Sequence, residues 1–185
     1  MKYIKDQENL EGKVVLLRLD LNVPLKNQVI TDETRINKIL PVINFLIKKK
    51  SKILIISHVG RPKGKINYDL SLKPICENLE RKIDQKIKLV KENIYKMKKE
   101  DLFKNSEEQI IFLENIRFYE EEEKNDANFS KNLAKVITKY LPNDKICKIL
   151  SSDIVLLNDY KSYNYFIAGE KDLVLDYINY LKYQK

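Results

Sequence analysis

The chain has 185 residues, of which 43% are hydrophobic, and it carries a formal net charge of +8. This length suits a single domain with one sizeable core. No apolar run reaches the ~18–20 residues that a membrane helix requires, and the N-terminal segment lacks the apolar centre of a secretion signal, so we expect a cytoplasmic protein that does not act at a membrane.

The positive charge comes almost entirely from lysine, because only five residues are arginine. Lysines interspersed with glutamates are typical of a solvated surface. A nucleic-acid-binding protein more often has a basic cluster interleaved with aromatic residues, so nucleic acid is the least favoured partner. Cys76 and Cys147 lie far apart and the chain has one histidine, which predicts two free buried thiols rather than a disulfide or a zinc site.

The first predicted elements are a strand and a helix. Residues 14–19 form a β-rich run, and a polar loop follows through Asn27. A helix is then expected to begin at Thr31 or Asp32, since either residue can cap it. Pro41 lies inside this helix and predicts a kink or a tightened turn. Apolar residues recur at helical spacing, at Ile36, Ile39, Leu40, Ile43, Leu46 and Ile47.

The next elements repeat this alternation. A second strand is predicted at residues 52–57, and a long loop leads to Ser71, which can cap the following helix. Pro74 fits the first turn of that helix. Residues 87–90 predict a third strand, and residues 92–99 a lysine-rich helix.

The last predicted elements begin with a fourth strand at residues 109–113. A charged loop at residues 120–123 leads to a helix that begins near Asp126. A strand at residues 153–157 and a helix at residues 171–183 end the chain. The helix after Asp126 has apolar residues on one face, at Phe129, Leu133, Val136, Ile137 and Tyr140.

Strands separated by helices indicate parallel βαβ units with right-handed crossovers. The nearly continuous apolar strands are typical of a sheet covered on both faces. The predicted fold is therefore α/β, a three-layer sandwich with a mainly parallel sheet in a single domain. Tyrosine becomes frequent late in the chain, so we separate a main α/β domain at residues 1–140 from a divergent strand-helix segment at residues 141–185, which we expect to pack on the same domain.

Polar and charged residues follow the predicted strands, and ligands of open α/β sheets bind beyond the carboxyl ends of strands. These residues are Asp20, Asn22, Arg35, His58, Arg61, Asn115 and Arg117. Guanidinium groups match carboxylate and phosphate oxygens in pairs, and a histidine can donate to the same anion. We therefore predict a site for a small polyanion. Arg18 and Arg81 are expected at the surface or in salt bridges.

Four segments resemble the signatures of the phosphoglycerate kinase family. RLDLNVPLKNQVITDETRI at residues 18–36 resembles RxDxNVPL…ITDxTRI, and ISHVGRPKG at residues 56–64 resembles SHLGRPKG. SLKP at residues 71–74 resembles the piece that follows in the family, and FLENIRFYEEEEKND at residues 112–126 resembles LLENxRFxxEEExND. The four motifs occur in the family's order over about residues 1–135, which makes the resemblance specific.

The resemblance implies the Rossmann-like N-terminal half of that glycolytic enzyme, which catalyses ATP + 3-phosphoglycerate ⇌ ADP + 1,3-bisphosphoglycerate. In this half Asp20 and Asn22 would hold the hydroxyl and carboxylate end of 3-phosphoglycerate. Arg35 would also bind this substrate and is the catalytic candidate, because it matches the arginine that meets the phosphoryl group in transit. The phosphate of the substrate would be bound by the basic residues His58, Arg61 and Arg117.

The chain departs from the family pattern in two respects. The family's later NDAFxxAHRAHAS segment contributes a further arginine to the basic patch, but here Asn158 and Asp159 are followed by YKSYNYF, and no arginine or histidine follows Arg117. We expect this loss to weaken ligand binding by about 10–100-fold. The family's glycine-rich nucleotide half is also unmatched, because the chain has four scattered glycines. No cofactor is therefore expected in this chain, and Mg-ATP or Mg-ADP only with a complementary C-terminal lobe.

Two functions remain open from the sequence. The chain is either a phosphoglycerate kinase-like enzyme that is inactive alone and acts with a separate nucleotide-binding lobe, or a non-catalytic binding module for a phosphorylated small acid. In both cases the expected ligand is 3-phosphoglycerate or a similar phosphorylated acid.

Overall fold

The computed structural model describes residues 10–97, 101–103, 109–129, 132–133, 146–147 and 166–168. A six-stranded parallel sheet forms its centre, and a small two-stranded hairpin lies apart from that sheet. In chain order the elements are β1 (Val14–Arg18), β2 (Leu25–Lys26), β3 (Val29–Ile30), α1 (Thr34–Lys48), β4 (Lys52–Ile56), α2 (Lys73–Ile83), β5 (Ile87–Val90), β6 (Ile110–Leu113), α3 (Glu120–Glu123), β7 (Ile146–Cys147) and β8 (Phe166–Ala168).

The four longer sheet strands lie in the order β5-β6-β4-β1, and each pairs with its neighbours in parallel. Each of these strands was predicted to within one residue at either end. They are recognisable because branched apolar residues fill them almost without interruption, as in parallel sheets that are buried on both faces.

Successive residues of each strand face opposite sides of the sheet, which separates the core into two clusters. Val15 and Leu17 of β1 belong to the cluster that α1 and α2 cover. Val14 and Leu16 belong to the second cluster, which is covered by loop residues and by Phe129. The predicted α/β, Rossmann-like three-layer architecture is confirmed for the described residues.

Beyond β1 the sheet continues with two short strands that were not predicted. β7 pairs with β1 at Val14, and β8 pairs with residues 15–17 of β1, both in parallel. Two- and three-residue strands are too short to give a recognisable hydrophobic period. The predicted strand at 153–157 and helix at 171–183 lie outside the described residues, and the domain boundary near residue 140 stays a prediction.

The segment between β1 and α1 differs from the predicted polar loop, because it contains the hairpin β2-β3. Its two turn residues, Asn27 and Gln28, both have positive φ angles, of 50° and 61°. Positive φ at both central residues is the geometry that matches the twist of a two-residue hairpin. The turn was missed because neither position is glycine, the residue that most often signals such a turn.

The helix α1 begins at Thr34, later than predicted. Thr31 closes the hairpin, since its N–H and its hydroxyl group both donate to the carbonyl oxygen of Pro24. Asp32 lies before the helix but still provides a hydrogen-bond acceptor for its first residue, because the carboxylate of Asp32 accepts the N–H of Thr34 at 2.8 Å. The helix continues through Pro41 to Lys48. Of the predicted apolar residues, Ile36, Ile43 and Leu46 are buried and the other three partly buried.

Two predictions about charged segments are wrong. Residues 92–97 form a turn rather than a helix, because the side chain of Asn93 accepts the N–H of Tyr95 and the hydroxyl group of Tyr119 accepts the N–H of Ile94. Residues 120–123, predicted as a loop, form the short helix α3. Acidic residues favour the first turn of a helix.

The helix predicted from Asp126 is supported where it is described. Residues 127–129 and 132–133 are helical, and the carboxylate of Asp126 accepts the N–H of Phe129 at 2.7 Å. Phe129 and Leu133 are buried as predicted, and the other three residues of that face lie outside the described residues. Cys76 is a buried free thiol, as predicted, whereas the side chain of Cys147 is not described. No helix in the described part of the chain is long and apolar enough to span a bilayer.

The helix α2 was predicted, with Pro74 in its first turn, but its N-cap is Leu72 rather than Ser71. The hydroxyl oxygen of Ser71 accepts the N–H of Lys73 at 3.2 Å from one residue further out. The N-terminus of α2 is held from across the sheet by Glu114, which follows β6. The two carboxylate oxygens of Glu114 accept the hydroxyl group of Ser71 and the N–H of Leu72, each at 2.8 Å. The same carboxylate accepts the N–H of Asn115 at 2.9 Å, so one side chain joins α2 to the end of β6.

Replacing Glu114 with glutamine is expected to lower the free energy of unfolding by about 1–3 kcal/mol. The amide keeps the shape of the side chain but offers one acceptor oxygen and no charge to the three donors. Urea unfolding of both proteins measures the difference. Glu77→Gln is the matched control, because Glu77 is an exposed residue of α2 whose one ion pair among the described residues is with Lys73. Equal losses in the two variants would contradict this role of Glu114.

Candidate functional site

The carboxyl ends of β1, β4 and β6 are tied together by hydrogen bonds between the loops that follow them. The N–H of Leu19 donates to the carbonyl oxygen of Ile56 at 3.0 Å, and the N–H of Ile116 donates to that of Ser57 at 3.2 Å. The buried hydroxyl group of Ser57 donates to the carbonyl oxygen of Leu19 at 2.7 Å. These bonds bring the loops after the three strands to one edge of the sheet, where the predicted site residues lie.

We call six residues at this edge the strand-end site. They are Asp20, Asn22, Arg35, His58, Arg61 and Arg117. Two asparagines hold the loop after β4 in place. Asn22 accepts the N–H of Gly60 at 2.9 Å, and the buried Asn115 donates to the carbonyl oxygens of Val59 and Leu70, each at 2.8 Å. The Asn115 side chain therefore supports the site structurally, whereas the amide nitrogen of Asn22 has no partner among the described residues.

Gly60 is required by the close packing of this loop. Its φ angle of 65° lies in the left-handed region, and a Cβ atom at this position would come within 2.7 Å of Leu70. Because residue 60 has no side chain, the backbone turns sharply between His58 and Arg61 without the strain that a Cβ atom would bring at this φ angle.

His58 is buried, with 5% of its surface exposed. Burial, together with the positive charges of Arg117 and Arg18, lowers the pKa of His58 to about 4, against the opposing effects of Glu122 and Asp20. The ring is therefore neutral at pH 7 and has one N–H that can donate to a ligand.

Asp20 and Arg35 form an ion pair between the loop after β1 and the first turn of α1. Both side chains are almost half exposed. The carboxylate of Asp20 also accepts the N–H of Asn22 at 3.3 Å. A ligand that binds either Asp20 or Arg35 in this geometry competes with their mutual contact.

Arg61 and Arg117 differ in how they are held. Arg61 is exposed and has no hydrogen bond or ion pair with any residue that the structure describes. Arg117 is about four-fifths buried, and its Nε lies 3.3 Å from Glu122, while one terminal nitrogen lies 3.5 Å from the carbonyl oxygen of Gly60. Arg117 is thus fixed by the protein, and Arg61 is free to turn towards a ligand.

Sequence reasoning missed the part that Glu122 plays at this edge. Glu122 was assigned to a charged loop, yet its side chain is 3% exposed and lies 2.7 Å from Arg18. Arg18 is therefore a buried salt-bridge residue, one of the two positions expected for it, while Arg81 is exposed in the last turn of α2. Within a run of four glutamates no local pattern distinguishes the buried residue from its exposed neighbours.

The comparisons with known proteins cover most of the chain. Residues 4–144 match the family model described as phosphoglycerate kinase. The phosphoglycerate kinase of Dictyoglomus turgidum is 44% identical over 134 residues, which are 72% of this chain and 34% of that protein. That of Prochlorococcus marinus is 44% identical over 137 residues, 74% of this chain and 34% of that protein.

Solved structures show the same similarity. The phosphoglycerate kinase of Pyrococcus horikoshii OT3 superposes with a TM-score of 0.63 at 29% identity, over 78% of this chain and 36% of that chain. The structure from Coxiella burnetii gives a TM-score of 0.57 at 35% identity, over 69% of this chain and 31% of that chain. The chain thus spans about a third of the length of the relatives that it matches.

Proposed function

Because the chain belongs to the phosphoglycerate kinase family, whose model covers residues 4–144, we propose that it binds 3-phosphoglycerate at the strand-end site. The observation that carries this proposal is the hydrogen-bonded junction of the loops after β1, β4 and β6, which gathers cationic and polar side chains at one edge of the sheet. Parallel α/β sheets bind their ligands at this edge.

The roles in this proposal follow the chemistry of each side chain. The guanidinium groups of Arg61 and Arg117 bind phosphate oxygens in pairs, which lysines cannot do. The neutral ring of His58 donates a further hydrogen bond to the phosphate. Asp20 and Asn22 bind the hydroxyl and carboxylate end, and Arg35 exchanges its contact with Asp20 for the ligand.

Phosphoryl transfer is proposed for this chain only together with a separate nucleotide-binding lobe. Among the described residues no group of three or more acidic, histidine or cysteine side chains could hold a metal ion. Gly60 and Gly64 do not border an open phosphate cradle, since a Cβ atom at either position would strike Leu70 or Glu120. Mg-ATP or Mg-ADP is accordingly expected only together with that lobe.

A second candidate function is a binding module without turnover. It is favoured because Leu70 and Glu120 occupy the space beside Gly60 and Gly64, where a phosphate-binding loop would need to be open. A coupled assay for ADP formation separates the two functions. Neither predicts turnover by the chain alone, and turnover on addition of a nucleotide-binding lobe of this family supports the enzyme. The absence of turnover with that lobe, while 3-phosphoglycerate still binds, supports the module. We also propose that the protein is cytoplasmic, as the sequence led us to expect.

Replacing Arg61 with alanine is expected to weaken 3-phosphoglycerate binding by about 10–100-fold, because a hydrogen bond to a charged group contributes roughly 1.5–3 kcal/mol. Isothermal titration measures the change in affinity. Arg61 suits this test because it has no partner among the described residues, so its removal leaves the fold intact.

Arg81→Ala is the matched control for this experiment. Arg81 is also an exposed arginine, but it lies in the last turn of α2, whereas the N-terminus of α2 is the end that contacts the strand ends through Glu114. The affinity of Arg81→Ala is expected to stay within about twofold of the unchanged chain. Equal affinities of the Arg61→Ala variant and the unchanged chain would contradict the proposed site.

A further inference from the structure

Glu122 lies between two arginines that come from different parts of the chain. One carboxylate oxygen is 2.7 Å from a terminal nitrogen of Arg18, at the end of β1. The other oxygen is 3.3 Å from Nε of Arg117, in the turn after β6. Because each oxygen contacts a different guanidinium group, one buried carboxylate joins the ends of two strands.

The burial of Arg18 explains why this carboxylate is needed. Arg18 is 8% exposed, and its second terminal nitrogen, Nη1, is buried with no hydrogen-bond acceptor among the described residues. A buried guanidinium group without a counter-charge is strongly destabilising. Glu122 therefore neutralises Arg18 and leaves the pair of arginines with one net positive charge.

The contact with Arg117 also selects which edge of its guanidinium group is used. Glu122 accepts the Nε–H, and among the described residues neither terminal nitrogen of Arg117 is hydrogen-bonded to this carboxylate. One of these nitrogens is 3.5 Å from the carbonyl oxygen of Gly60, which is too long for a strong hydrogen bond. The terminal nitrogens remain available to an anion at the strand-end site.

We propose that Glu122 is a positioning residue, which orients Arg117 for an anionic ligand through the shared ion pair with Arg18. This inference rests on the proposed binding of 3-phosphoglycerate at the strand-end site. Glu122 does not touch the ligand, because its side chain is 3% exposed and both its oxygens face arginines. Its effect on affinity passes through the orientation of Arg117.

The substitution Glu122→Asp tests this role without changing the charge. The shorter side chain cannot reach both arginines. The carboxylate is expected to stay with Arg18, because an unpaired charge costs more free energy at the deeply buried Arg18 than at Arg117. Arg117 is then released while the fold persists, which the circular dichroism melting curve checks. Glu122→Gln is less suitable, because it leaves Arg18 without a counter-charge.

The matched control is Glu123→Asp. Glu123 belongs to the same short helix, and its carboxylate lies 3.9 Å from Nε of Arg117, beyond hydrogen-bonding distance. It therefore shares the electrostatic environment of Arg117 without holding its orientation. Comparison of the two variants separates positioning from charge.

Two measurements on the full chain decide the question. Isothermal titration with 3-phosphoglycerate is expected to show an affinity about tenfold lower for Glu122→Asp, and within twofold of the unchanged chain for Glu123→Asp. Nitrogen-15 NMR of the arginine side chains is expected to show a slowly exchanging Nε–H for Arg117, which Glu122→Asp abolishes and Glu123→Asp retains.

Each result has a defined meaning. If the unchanged chain binds the ligand and Glu122→Asp binds it equally well, the positioning role is overturned while the proposed function stands. If the affinity falls but the Arg117 Nε–H signal is unaltered, Glu122 does not act through Arg117, and the inference is also overturned. If the unchanged chain does not bind 3-phosphoglycerate, the proposed function itself fails.

Discussion

Replacing Arg117 with glutamine is expected to weaken 3-phosphoglycerate binding by about 100-fold, the largest loss among single substitutions at the strand-end site. Arg117 is held in place on one side by Glu122 at 3.3 Å, so little conformational freedom is lost when a phosphate binds its terminal nitrogens. A pre-organised, partly buried guanidinium group contributes more than an exposed one, because its hydrogen bonds form in a medium of lower dielectric constant. Glutamine retains part of the packing but removes the charge and the paired donors.

Isothermal titration of both proteins measures this loss. The fold is expected to survive, because Glu122 keeps its closer partner, Arg18, at 2.7 Å. Arg81→Gln is the control for the removal of one positive charge from the surface, and its affinity is expected to be unchanged. A Kd for Arg117→Gln within threefold of the unchanged value would show that Arg117 does not bind the ligand.

The second prediction concerns the dependence of stability on pH. Burial holds the pKa of His58 at about 4 in the folded chain, while an unfolded histidine titrates near 6.5. Between these values the unfolded state binds more protons than the folded state, so the free energy of unfolding falls as the pH falls. From pH 7 to pH 5, His58 alone is expected to lower the free energy of unfolding by about 2 kcal/mol.

The substitution His58→Gln removes this contribution, because glutamine fills a similar volume and does not titrate. Urea unfolding at pH 7 and pH 5 is expected to show a smaller difference for His58→Gln than for the unchanged chain, by about 2 kcal/mol. The carboxylates titrate in both proteins, so their contribution cancels in this comparison. Equal differences in the two proteins would mean that His58 titrates near its ordinary pKa and is not buried beside Arg117 and Arg18.

Much of the fold could be predicted from the sequence because the sheet is parallel and covered on both faces. Strands β1 and β4 each contain four consecutive branched apolar residues, and such runs have few alternative structures in a chain of this length. Short elements that depend on partners elsewhere in the chain were not predictable. The helix predicted at 92–99 is one such case, because the hydroxyl group of Tyr119 supplies an acceptor for the N–H of Ile94 from a distant segment.

The composition of the candidate site was predictable for the same reason. Residues that follow parallel strands meet at one edge, so Asp20, His58 and Arg117 could be grouped before their contacts were known. The support beneath them was not predictable. Glu122 is one of four consecutive glutamates, and only the packing of α3 against the end of β1 determines which of them is buried with Arg18.

The His58 ring allows the most direct test of the account, because His58 is the only histidine in the chain and its ring C–H signals in an NMR spectrum need no assignment. These signals are to be followed during a titration with 3-phosphoglycerate at pH 7. The account predicts that they move to a saturable end point in the unchanged chain and in Arg81→Ala, and that Arg61→Ala requires about 10–100 times more ligand. If the ring signals keep their ligand-free positions throughout the titration, no phosphorylated acid binds at the carboxyl ends of β1, β4 and β6.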